Sequence, residues 1–331
     1  MSRESVRVFR GMTGSVLAMT GCPTAAPGRP VGRVLTAMVT PFGADGRLDL
    51  AKAQQLAKHL VDLGNDGLIV SGTTGEAPTT SDAEKVDLIR AVLDAVGDRA
   101  TIVSGGSTYD TAHSVRLAKQ LADAGAHALL AVTPYYSRPS QEGLIAHFTA
   151  IADSTDLPVV LYDIPPRTAT PINTPTLIRL AEHPQIVAVK DAKGDLQAGC
   201  EVMANSKLAY YSGDDALNLP WLSVGAVGFG SVIGHVVADR LRLMLDSYER
   251  GDVAAALEHN RGLLPVNRAF TRPGPGLGLV FAKAAMRLRG VDAGVPRLPL
   301  VPATDEQVAA IAADLAVAGV PIRSASETVS T

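Results

Sequence analysis

The chain has 331 residues, 47% of them apolar, with a formal net charge of −3 and charges of both signs mixed throughout. That length and apolar content allow one large globular domain, or a large one with a small companion. They also narrow the function: no basic run or stripe is present to meet nucleic acid, and no uninterrupted apolar run approaches a membrane span. Cys22 and Cys200 have neither metal-ligand spacing nor the look of a disulfide framework, so a reducing, cytoplasmic compartment fits.

Residues 1–32 differ from the rest. Arg3, Arg7 and Arg10 precede a thin apolar patch, Val16-Leu17-Ala18-Met19, followed by Thr20-Gly21-Cys22 and a stretch rich in proline, glycine and alanine. The patch is shorter than the ~7–15 apolar residues of an export signal. The segment therefore reads as an extension that is disordered or precedes the true start, with Met12 or Met19 as alternative starts.

From residue 33 a rhythm begins. Short apolar runs recur at 34–40, 67–72, 101–106, 128–134, 158–165, 186–192, 208–214 and 225–232. Amphipathic stretches at helical period lie between most of them, at 50–64, 81–97, 111–125 and 173–183. The second opens on a capping box, Ser81 with Glu84. Alternation of strand and helix eight times over predicts an α/β fold, a (β/α)8 or TIM barrel, spanning 33–235. Residues 236–318 predict a C-terminal helical domain of about four helices, and 319–331 a tail.

Barrel enzymes place their chemistry where strands run into the loops that follow them. Those positions carry GTTGE (72–76), TPYY (133–136), YDIPPRT (162–168), Lys190, GDD (213–215) and GFGS (228–231). The run Ile186-Val187-Ala188-Val189 reads as a strand buried on both faces, and it ends in Lys190. A lysine at the end of such a strand loses hydration, which disfavours its charged form; a neutral amine can attack a carbonyl and form a Schiff base. The plainer reading pairs Lys190 with Asp191 or Asp195. The other residues have plain readings too: Gly72–Gly75 as a tight turn, Tyr135-Tyr136 as rim packing, Arg167 as a surface arginine. Their convergence on one face of one barrel favours a site. Histidine and cysteine are missing from the set, which argues against those nucleophiles, and its acids form no metal constellation.

Taken together, GTTGEA (72–77), VTPYYSRPSQEG (132–143), LYDIPPRT (161–168), VAVKDAKGD (187–195) and YYSGDDALNLPW (210–221) resemble the dihydrodipicolinate synthase family. The resemblance runs from about residue 34 to about 318. The family belongs to the class I pyruvate-dependent aldolases, whose barrel, lysine and strand-5 tyrosine are shared by N-acetylneuraminate lyase and keto-deoxy-sugar aldolases. The tyrosine pair after strand 4 and the arginine beyond Tyr162 favour the synthase. The resemblance implies that Lys190 forms an imine with pyruvate, whose enamine adds to L-aspartate-4-semialdehyde. It implies a proton relay of Tyr162, Thr73 and Tyr136, with Tyr136 reaching into a neighbouring subunit of a homotetramer built as a dimer of dimers. Thr74 would hold the pyruvate carboxylate, Arg167 the carboxylate of the semialdehyde, and Gly230 would touch pyruvate through its backbone. No organic cofactor is implied. Two other readings stay open: a sibling aldolase or lyase acting on another aldehyde, and a non-catalytic binding barrel.

Three departures from the family pattern stand out. Gly230 replaces a branched apolar residue, which thins a pocket wall. The stretch 271–286 is richer in glycine than usual. In a pocket where many members bind the inhibitor L-lysine, Tyr135 is kept. Tyr109, His113, Asp82 and Lys85 occupy the positions of an asparagine, a glutamate and two histidines. Loss of the glutamate removes a charge-assisted hydrogen bond to the ligand's ammonium, so little inhibition by L-lysine is expected.

Overall fold

The computed structural model describes residues 22–26 and 28–323, and the statements below concern those residues. The apolar patch Val16–Met19 and residues 324–331 of the tail lie outside them. Eight parallel strands close into a barrel in chain order: β1 (Val34–Ala37), β2 (Gly67–Val70), β3 (Thr101–Gly105), β4 (Ala128–Val132), β5 (Val159–Asp163), β6 (Ile186–Asp191), β7 (Ala209–Ser212) and β8 (Gly228–Ser231). Each lies within one of the apolar runs of the sequence. β8 pairs with β1 through Leu35 and Gly230, so the sheet has no free edge.

The connecting helices are α1 (Leu50–Asp62), α2 (Asp82–Val96), α3 (Thr111–Asp123), α4 (Gln141–Ala152), α5 (Pro165–Thr168), α6 (Thr174–Leu180), α7 (Leu196–Asn205) and α8 (Asn218–Ser223). The Ser81–Glu84 capping box opens α2 as its sequence predicts. Strand alternation sorts the apolar residues into two cores. Leu35, Ile69, Val103, Leu130, Val160, Ala188 and Tyr211 fill the barrel interior. Val34, Leu68, Ile102, Leu129, Leu161 and Val189 face the helical layer instead.

Five helices follow β8: α9 (Gly234–Glu249), α10 (Val253–Gly262), α11 (Leu264–Thr271), α12 (Gly278–Leu288) and α13 (Asp305–Val317). The sequence suggests about four. Helix α11 is the addition; its Pro265 stands in the first turn, where a proline removes no hydrogen bond. Helix α9 packs on β1 and α1 and so joins the barrel's outer ring, while α11, α12 and α13 pack on one another. Among the described residues no helix is long and apolar enough to cross a membrane.

The described part of the amino-terminal extension lies against the barrel. Cys22 is buried, its thiol donating to His127 O at 3.3 Å, and burial pushes its pKa up to about 11. Thr24 and Thr101 share a hydroxyl contact of 2.6 Å. Val31 is 2% exposed and joins the interior core, where the Tyr211 hydroxyl donates to Gly32 O at 2.9 Å.

Buried polar groups fasten the strand ends. His235, fully buried, accepts the Val39 N–H at its Nε2 and donates from Nδ1 to Val232 O at 2.8 Å, which links the exits of β1 and β8. Asp163 and Asp191 point outward from β5 and β6. Asp163 accepts the Ile172 N–H at 3.2 Å and forms an ion pair with Lys193 Nζ at 3.2 Å. Asp191 accepts the N–H groups of Lys193 and Gly194, each at 2.9 Å.

These groups give stability a defined pH dependence. Burial pushes His147 and His235 down to about 4, so between pH ~6.5 and 4 the unfolded chain takes up protons that the folded chain refuses. Each histidine then removes stability as pH falls, at up to ~1.4 kcal/mol per pH unit. Asp163, raised to about 6 by burial, acts in the opposite sense over its narrower range. Burial also lowers His59 and His127 and raises Asp191, so four histidines against two aspartates predict a net loss when urea unfolding is compared at pH 7 and pH 5. Lys193→Met should cost ~3–5 kcal/mol at pH 8, because it strands a buried carboxylate. Part of that loss should return as pH is lowered and Asp163 becomes neutral; a loss independent of pH would show that the ion pair is not its cause.

Candidate active site

The candidate site begins where β5 and β6 pair, Tyr162 opposite Lys190 and Asp163 opposite Asp191. Alternation sends the first pair into the barrel and the second out toward the helices. Lys190 is 4% exposed, and its Nζ lies 4.6 Å from the centroid of the Tyr162 ring. A cation over an aromatic face is an attractive contact, stronger when desolvated. Among the described residues no carboxylate lies within ion-pair distance of Lys190. The pairing with Asp191 or Asp195 is replaced by other roles for both acids. Asp191 holds the turn after β6, and Asp195 caps α7 by accepting the Ala198 N–H at 3.0 Å. Lys193, the neighbouring lysine, is already engaged by Asp163.

Above this pair opens a cavity of about 230 Å³ at the C-terminal ends of the strands. Thr73, Tyr162 and Arg167 line it together. Lys190 and Gly230 border a smaller cavity deeper in the barrel, beneath Tyr162. Thr74 is 8% exposed and lies outside the lining of the larger cavity. Tyr136 stands apart. Its φ is +73°, its side chain is 95% exposed, and within one chain it does not line the cavity. Its neighbour Tyr135 does, packed edge-on against Tyr109 with centroids 5.3 Å apart.

The turn that presents the two threonines is compact. Glu76 N–H donates to Thr73 O at 3.1 Å, Ala77 N–H to Gly72 O at 3.2 Å, and the Thr40 hydroxyl to Gly75 O at 2.6 Å. Arg167, in the short helix α5, extends across the cavity mouth, and its guanidinium donates to Gly276 O in the loop before α12. That contact accounts for part of the unusual glycine content. Gly276 has a φ of +74°, and a Cβ there would lie 3.5 Å from Arg167 Nη2.

Gly230 has a different consequence from a thinned wall. A Cβ at that position would lie 2.8 Å from Lys190 Cε and 2.9 Å from Cδ, so the lysine stem itself occupies the space that the missing side chain leaves. Glycine here lets Lys190 lie back into the barrel.

Lys85, Ser107 and Thr108 also line the larger cavity. Lys85 is 6% exposed, donates to Thr80 O, and has its pKa pushed down by burial. The spacing of Lys85 with Leu88, Ile89 and Val92 marks it as facing inward, a signal available in the sequence but easily overruled by its charge. Asp82 and His113 are paired with each other at 2.7 Å across α2 and α3, so neither presents an unengaged group there.

Comparison with known proteins gives this geometry its relatives. The model of the dihydrodipicolinate synthetase family matches residues 30–318. A 4-hydroxy-tetrahydrodipicolinate synthase of Mycolicibacterium paratuberculosis is 61% identical over 295 residues, covering 89% of this chain and 97% of the relative. A 4-hydroxy-tetrahydrodipicolinate synthase 2 of Streptomyces coelicolor is 60% identical over 300 residues, covering 91% and 99%. Among solved structures, a dihydrodipicolinate synthase from Bacillus anthracis superposes with a TM-score of 0.83 at 38% identity, covering 88% of this chain and 99% of that one. The enzyme from Cyanidioschyzon merolae, solved with lysine bound, gives 0.84 at 37% identity, covering 88% and 99%. With residues 30–318 matched by the family model and relatives near 60% identical over most of the chain, the chain belongs to the dihydrodipicolinate synthetase family.

Proposed function

We infer that the protein is a lyase that condenses pyruvate with L-aspartate-4-semialdehyde to 4-hydroxy-tetrahydrodipicolinate, the reaction named by its ~60% identical relatives. The observation that carries the reading is Lys190: buried, without a carboxylate partner among the described residues, and set against the hydroxyl-bearing ring of Tyr162. An amine in that setting is free to attack a ketone, and the lysine then serves as the electron sink without an organic cofactor.

Each step asks something of a particular residue. Lys190 Nζ adds to the pyruvate ketone, and loss of water gives the imine. Removal of a methyl proton gives the enamine, whose carbon attacks the semialdehyde aldehyde; the semialdehyde's amino group then attacks the imine carbon, closing the ring and releasing Lys190 as the amine. Protons must leave and return at the same few atoms, and Tyr162 and Thr73, both lining the cavity, supply a chain of hydroxyls for this. Tyr136 completes the relay from a second copy of the chain, which its nearly full exposure and position outside its own cavity support. The assembly we propose is a tetramer of two such dimers, working in the cytoplasm. Thr74 holds the pyruvate carboxylate by its hydroxyl and backbone N–H, next to the backbone of Gly230. Arg167 receives the second substrate's carboxylate in a bidentate pair at the cavity mouth.

Borohydride added with pyruvate should attach one three-carbon unit at Lys190, read by peptide mass spectrometry, and Lys190→Ala should abolish it. Labelling at Lys193 would overturn the assignment. A panel of aldehydes offered to the pyruvate-loaded enzyme distinguishes the synthase from a sibling aldolase, since only the synthase turns over the semialdehyde preferentially. Arg167→Ala should raise the KM for the semialdehyde at least ~10-fold, the scale of a lost charge-assisted contact, with little change for pyruvate. Equal losses for both would mean that Arg167, through Gly276, supports the cavity rather than the substrate.

A further inference from the structure

The turn that carries Thr73 and Thr74 is gripped from the helical unit. Its last residue, Glu76, is 3% exposed and has a φ of +57°. Glu76 Oε1 lies 2.8 Å from Nζ of Lys283, a residue of α12 that is 5% exposed. Glu76 Oε2 accepts the backbone N–H of Arg297 at 2.8 Å. Lys283 also donates to Val295 O at 2.9 Å, which ties the same ammonium to the loop after α12. The Arg297 side chain extends the grip, donating from Nε to Gly46 O at 2.9 Å and from Nη1 to Thr79 O at 2.7 Å. It also pairs with the Glu84 carboxylate. Both cations rest on the ring of Phe42, 4.6 Å and 4.1 Å from its centroid.

Stability alone explains this arrangement poorly. A buried ion pair often contributes no more than apolar residues of the same volume, yet removing one partner is costly. Its usefulness lies in what is attached to it. Glu76 N–H holds Thr73 O, so fixing the Glu76 carboxylate fixes the end of a four-residue turn. That turn is built from glycine and threonine and carries no large apolar side chain of its own. Lys283 and Arg297 do not line the cavity, so they act through Glu76.

We propose that Lys283 and Arg297 are positioning residues, and that the Glu76 clamp they form sets Thr73 and Thr74 for capture of the keto-acid carboxylate. The proposal rests on the reading that these threonines hold that carboxylate. Its consequence is a division of labour in which the helical unit governs how well pyruvate is held, and the barrel lysine governs the chemical step.

Lys283→Met removes the charge and keeps the stem, Lys283→Arg keeps the charge, and Arg297→Ala removes the guanidinium. In folded Lys283→Met, half-saturation of borohydride labelling should need ~10-fold more pyruvate, while kcat at saturation falls less than ~3-fold. Amide exchange in residues 72–80 should quicken by ~10-fold or more, and Lys283→Arg should restore both readings. Arg297→Ala should shift them in the same direction and decides the matter if Lys283→Met does not fold. Labelling and exchange within twofold of wild type in a folded variant would overturn the clamp while the site reading stands. A wild-type chain that takes no pyruvate adduct would instead overturn the site reading, and the proposed carboxylate capture with it.

Discussion

The register of β5 on β6 is the constraint on which the site depends. Because strand side chains alternate, one pairing fixes four functional groups at once: Tyr162 and Lys190 inside the barrel, Asp163 and Asp191 outside. A slip of β6 by one residue would exchange its two groups, placing Asp191 in an apolar interior and Lys190 against helices, away from Tyr162. The outer acids work against such a slip. Asp163 fastens Ile172 and Lys193, and Asp191 fastens the turn after β6, so each strand end is tied to the loop that follows it. The inner pair is then held in place by bonds made on the opposite face of the sheet.

Much of this was legible in the sequence because strands buried on both faces leave short, nearly pure apolar runs. All eight strands fall inside such runs, and the residues at their ends are where the cavity opens. The site was less legible where its geometry depends on long-range contacts. Arg167 reads as a loop arginine, and nothing near it in sequence announces Gly276 more than a hundred residues on. Glu76 stands in plain sight in the GTTGE motif, yet its partners lie on the helical unit. Lys283 had a local signal, a single charge in the apolar face of α12, where Leu279, Val280, Phe281, Ala282 and Met286 are all buried.

The two glycine departures are explained by different physics. At 276 the backbone adopts a positive φ close to a guanidinium, a conformation and an approach that suit a residue without Cβ. At 230 the determining factor is volume, because the stem of Lys190 lies where a side chain would have to go. The first shapes the mouth of the larger cavity, and the second the smaller one deeper in the barrel.

The segment from Cys22 to Gly32 has a practical bearing on how the protein is handled. Val31 seals the end of the barrel opposite the cavity, and the Tyr211 hydroxyl, deep in the interior, has its acceptor in Gly32. Translation from Met12 or from Met19 would leave this seal intact, so the two shorter chains would share the described barrel floor. A recombinant chain trimmed to the first strand would uncover Tyr211 and Leu35 to water from below. Purification tags and protease sites therefore belong ahead of Cys22 rather than next to Val34.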